Sequence, residues 1–136
     1  MPRPNGPQFN PENEFYGSMS EMVPISILKG MRGNDLRYKG EKLQELADDI
    51  KQNGLRSPGM LEYYQEGRTA LLGEGHHRMA ALEMAGFTHM PVTVFRNESA
   101  DKSRKAKPVR GVDPNQHNYV PGNLKPSQIM DIEENR

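Results

Sequence analysis

Proline placement sets the first limit on this chain, because each proline removes a backbone donor and fixes φ, which keeps it out of helix interiors and central strands. Pro2, Pro4, Pro7 and Pro11 crowd the beginning, Pro108, Pro114, Pro121 and Pro126 crowd the end, and only Pro24, Pro58 and Pro91 fall between. One folded unit is therefore expected at about residues 20–97, between a Pro-rich tail at 1–19 and a basic, then Pro-containing tail at 98–136. The polar make-up of the flanks points the same way. Only 34% of the 136 residues are hydrophobic, below the roughly 45–50% apolar usage of ordinary soluble domains, so the core is smaller than the length suggests. There is no cysteine, which excludes a disulfide framework, a thiolate zinc site and a cysteine nucleophile. No apolar run approaches the roughly 18 residues of a membrane span, and the beginning lacks the regions of a signal peptide. The expectation is a cytoplasmic protein with no membrane partner.

Inside the central span the apolar residues change period. Met22 to Leu28 reads as a strand, with Pro24 acceptable only at its beginning or at an edge. Gly30 to Gly40 reads as a loop. Leu43, Leu46, Ala47 and Ile50 recur at helix spacing, and Asn53-Gly54 supplies a left-handed stop. Met60 to Tyr64 and Arg68 to Leu72 read as a hairpin, with Gly67 available for the positive φ of its turn. A second helix is expected from His76 to Ala85, stopped by Gly86, and a last strand from Met90 to Phe95. A short helix is also placed over 127–134, where Ile129, Met130 and Ile132 are expected to pack on the core.

Gly73-Glu74-Gly75-His76-His77-Arg78 is the most informative stretch, because it passes from a strand through a two-glycine turn into a helix. The first turn of a helix carries N–H groups without intrahelical acceptors and the positive end of the helix dipole, a combination that favours anions. Arg78 can add a two-point grip on phosphate oxygens. His76 and His77 are adjacent, so they point about 100° apart and one faces a ligand while the other packs or orients it. Ordinary turn glycines and a surface arginine would explain the same residues about equally well. Adjacent histidines lack the spacing of a helical metal pair, so no metal ligands are assigned.

With these motifs in order, the chain resembles the ParB/sulfiredoxin superfamily, in particular the ParB-like N-terminal (ParB-like nuclease) domain. Val23 to Ser26 resembles its opening strand, Leu43 to Leu55 its first helix and turn, Arg56-Ser57-Pro58 the lead into its second strand, and Gly75 to Ala81 its phosphate-binding signature. Ala85 to Val92 resembles the helix exit and last strand. The resemblance implies an α+β fold, a small mixed sheet with packed helices, flanked by flexible or extended tails. It also implies binding of a nucleotide such as CTP, ATP or ADP, with magnesium, at Gly73, Gly75, His76, His77 and Arg78. Partitioning members read Gly-Glu-Arg-Arg at this place, so His76 and His77 depart from that pattern. Sulfiredoxins keep a catalytic cysteine where this chain has His76, which removes support for sulfinic acid reduction. The wording is most similar to Asp-Gly-His-His-Arg of the ADP-dependent free-serine kinases, with Glu74 in place of the aspartate.

Three functions compete. The first is a stand-alone nucleotide-binding domain, from a phage or mobile element, with NTPase or phosphotransfer activity as an open extension for which Glu74 and Asp35 are the catalytic candidates. The second is a DNA-binding or nuclease accessory protein. Lys102, Arg104, Lys105, Lys107 and Arg110 would contact phosphates, although Lys plus Arg and Asp plus Glu both total 18 and leave no global field. The third is a degenerate scaffold whose tails bind a host or phage protein through Tyr119-Val120-Pro121 or Pro126 to Ile132. Dimerisation suits the resemblance, but no residue fixes the oligomeric state.

Overall fold

The computed structural model describes residues 5–32, 40–97, 106–112 and 123–133. In chain order the helices are α1 (Glu14–Met19), α2 (Ile25–Gly30), α3 (Glu41–Asn53), α4 (His76–Met84) and α5 (Pro126–Ile129). The strands are β1 (Glu21–Pro24), β2 (Gly59–Tyr64), β3 (Thr69–Glu74), β4 (His89–Asn97), β5 (Lys107–Pro108) and β6 (Asn123–Leu124). They form one mixed sheet in the order β1-β4-β2-β3-β5, with β6 also on β4. β2 and β4 run parallel, from Gly59 opposite Val92 to Tyr64 opposite Asn97, while the other pairs are antiparallel. The fold is α+β, as the sequence predicts.

The long helix follows its periodicity closely. Leu43, Ala47 and Ile50 are buried on one face of α3, Glu41, Glu45 and Asp48 stay exposed, and Gly54 closes the helix at φ 79°. A side chain at this φ would be strained, and its Cβ would lie 2.7 Å from the Gln8 carbonyl oxygen. α3 packs against α4, whose Met79, Ala81 and Leu82 face the core. Each leucine buried this way contributes about 1.5–3 kcal/mol.

The expected strand from Met22 to Leu28 is half strand and half helix. β1 ends at Pro24, an edge-strand position where the missing donor disturbs no ladder, and α2 begins at Ile25. Ile25 and Leu28 are buried three residues apart, so the second half of the apolar run serves a helix face. The hairpin forms as expected, but Arg68 carries the positive φ, 51°, in place of Gly67. The Arg68 carbonyl accepts from Val109 N–H at 2.9 Å, which ties the turn to the chain beside β5.

Chain outside residues 20–97 also packs on this unit. Phe9 bridges to Leu55 beyond the end of α3, and Val112, Leu124, Ile129 and Met130 join the buried core. The Glu21 carboxylate accepts from Ser127 N–H at 2.8 Å and from its hydroxyl at 2.9 Å, pinning α5 to β1. The helix expected over 127–134 is a single turn, because Met130 adopts an extended backbone at φ −158°. Among the described residues, no helix is long and apolar enough to cross a membrane.

Candidate functional site

The turn from β3 into α4 is built around Gly75. It is the N-cap of α4 at φ 107°, in the left-handed region, and its carbonyl accepts the first helical bond from Met79 N–H at 2.8 Å. A Cβ here would approach the Gly59 Cα to 3.1 Å, so the helix start lies directly against the beginning of β2. Glycine at 75 therefore answers both a backbone angle and a close backbone crossing. It also leaves α4 without a side-chain cap, and no acidic residue occupies the first turn of the helix. The positive end of its dipole is not offset from within that turn.

Gly73 has a different reason. A Cβ there would meet Glu62 Cγ and Cδ at 3.0 Å, so the space is filled by the Glu62 side chain from the neighbouring strand. Glu62 accepts from the Tyr64 hydroxyl at 2.9 Å. The two glycines that the sequence groups into one anion-binding turn thus serve separate contacts.

Arg78 is half-buried, and its Nη1 donates to the carbonyl oxygens of Ser57 at 3.2 Å and Pro58 at 3.3 Å. Both bonds leave from one nitrogen of the fork. The guanidinium closes one wall of a cleft of about 390 Å³ bounded by Leu46, Asp49, Asn53, Arg56 and Ser57. Burial lowers the Arg78 pKa from its usual value and the Glu74 carboxylate opposes the shift. Arginine stays charged throughout, so α4 begins with a held, partly desolvated cation.

His76 is only 8% exposed, whereas His77 is half-buried. The imidazole of His76 is held below its usual pKa of 6.5, first by burial, then by the charges of Arg32 and His77, with Glu74 opposing. Arg32 comes from far along the chain. Leu72 N–H donates to the Met31 carbonyl at 2.7 Å, and Arg32 bridges in parallel to Leu72, which brings the residue after α2 beside β3. Glu74 is exposed at the end of β3, and its charge acts on both His76 and Arg78.

The family model described as ParB N-terminal domain matches residues 11–107. The chain belongs to that family. The ParB N-terminal domain model covers α1 through β4 and reaches the first residue of β5. Among solved structures, this ParB N-terminal domain is similar to the crystal structure of the C-terminally truncated chromosome-partitioning protein ParB from Caulobacter crescentus complexed with CTP-gamma-S. Identity is 24% and the TM-score 0.46, over 61% of this chain and 46% of that chain, so the present chain spans less than half of it. No curated protein matches.

Of the residues singled out in the sequence, Gly75, His76, His77 and Arg78 gather at the start of α4, with Glu74 beside them and Gly73 facing Glu62. Asp35, Lys102, Arg104 and Lys105 lie outside the described residues, as do Tyr119, Val120 and Pro121. Lys107 belongs to β5, and Arg110 donates to the Ser127 carbonyl, so this end of the basic run is tied to the sheet and to α5. Sequence reasoning missed Arg32, Gly59 and the two carbonyls that hold Arg78. Gly59 offered a signal, a glycine just before a strand, but Arg32 offered none. Among the described residues, no three His, Asp or Glu side chains gather as metal ligands.

Proposed function

We propose that this ParB N-terminal domain binds the phosphates of a nucleotide at the start of α4. The observation that carries the reading is the pairing of an uncapped helix start at Gly75 with the half-buried Arg78 guanidinium in the same turn. The helix start offers N–H donors and positive potential, and the guanidinium offers charge in a planar fork. Arg78 is already oriented by the Ser57 and Pro58 carbonyls, so less side-chain freedom is lost when an anion docks. The adjoining cleft is within the range of about 300–1,000 Å³ usual for ligand sites.

Phosphotransfer would further require a carboxylate that accepts the proton of an attacking hydroxyl. Glu74 is the described acid nearest in sequence to Arg78, and its charge acts on the guanidinium.

Calorimetric titration with CTP, ATP and ADP, each with and without magnesium, tests the proposal. At least one nucleotide should bind, and Arg78→Ala should weaken it about 10- to 100-fold, the value of a charged hydrogen bond of about 1.5–3 kcal/mol. Arg78→Lys should recover only part of the loss, because an ammonium lacks the fork. No heat and no thermal protection from any of the three at millimolar concentration would overturn it.

A further inference from the structure

His76 occupies an electrostatic position that phosphate binding alone does not explain. It is the first residue of α4, nearly buried, at the positive end of the helix dipole. Charged and titratable groups from separate segments act on it. Arg32 follows α2 and is carried alongside by the bridge to Leu72, Glu74 ends β3, and His77 lies on α4 itself. Arg32 and His77, like the dipole, disfavour a positive charge on it, and Glu74 favours one. In the ligand-free protein the imidazole is therefore neutral at pH 7.

An arriving phosphate reverses this balance. It places about two negative charges at the end of the helix, in a partly desolvated site where charges act strongly on one another. We propose that phosphate docking at the start of α4 is coupled to proton uptake by His76, so that nucleotide binding is strengthened as pH falls. This inference rests on the phosphate-binding reading above and adds its regulation. The proton comes from solvent and forms an N–H bond on the unprotonated imidazole nitrogen, and it returns to solvent when the nucleotide leaves. Arg32 then has a role of its own, because its charge adds to burial in disfavouring the protonated imidazole until the anion arrives. Each unit by which the anion raises the His76 pKa tightens binding about tenfold at pH values below both pKa values.

The experiment is calorimetry of the full chain with CTP, ATP and ADP at about pH 6, 7 and 8, repeated in buffers of different ionisation enthalpy. The terminal phosphate titrates in the same window, so the decisive quantity is the difference between the wild type and His76→Gln. Wild type should take up about half a proton more per bound nucleotide at pH 6.5 and gain about 3- to 10-fold more affinity from pH 8 to 6. Histidine NMR of the wild type, with and without nucleotide, reads the His76 pKa directly and does not depend on any variant folding. A nucleotide that binds without moving that pKa overturns the proton coupling and leaves the phosphate site standing. Absence of binding at every pH overturns both.

Discussion

Replacing Gly75 by alanine separates two reasons for a glycine at a helix start. If the residue were glycine only to let a phosphate approach, the free protein would be indifferent to the change and only binding would suffer. The structure gives the opposite expectation. At φ 107° an alanine occupies a strained backbone region, which costs about 1–3 kcal/mol. Its Cβ also lies 3.1 Å from the Gly59 Cα, and backbone on both sides has little room to yield. Together these should destabilise the free protein by about 2–3 kcal/mol. With an unfolding entropy of roughly 2.1 cal/mol/K per residue, that lowers the melting temperature of a chain this size by about 7–10 °C. Thermal and urea unfolding without nucleotide measure it. Gly30→Ala is the control, since Gly30 is exposed, has no atom within 4 Å of an added Cβ and ends α2. It should be neutral or stabilising by up to about 1 kcal/mol. A Gly75→Ala protein within about 0.5 kcal/mol of wild type would refute the packing argument and return the glycine to the ligand.

Ile129→Ala should cost about 2–4 kcal/mol in urea unfolding, because Ile129 is fully buried although it lies beyond the central span; a change below about 0.5 kcal/mol would show that α5 does not belong to the cooperative core. Stability should also depend on pH through His76. Its pKa is lowered by folding, so the unfolded chain binds the proton more readily, and stability is complete above pH 6.5 and falls as pH drops below that value. His76→Gln should flatten this dependence in acid unfolding curves, and an unchanged curve would remove His76 as its source.

The candidate site was legible in the sequence as far as short-range rules reach. A strand, a glycine and a helix in succession marked Gly75 as the turn, and Arg78 followed on the same helix. What the sequence did not show is that Glu62 fills the space at Gly73 from the neighbouring strand. Pairing register decides which residues sit opposite one another, and Leu71 lies across from Glu62 only once β2 and β3 have aligned. Arg32 was invisible for a related reason. The Met31 carbonyl and the bridge to Leu72 bring it to His76, a contact between segments distant in the chain.

By itself the sequence determined what depends on a few neighbouring residues: the amphipathic α3, its stop at Gly54, the hairpin, the helix start at Gly75 and the excluded cysteine chemistry. Each rests on periodicity, a required φ or the absence of a functional group, all of which are local. Tertiary structure alone decided that β2 lies parallel to β4, that Val112, Leu124 and Ile129 complete the core from a Pro-containing flank, and that the apolar run from Met22 divides at Pro24 into strand and helix. It also decided the charge environment of His76. Burial and the field of a distant arginine arise only when separate segments exclude water together, so no pattern along the chain carries them.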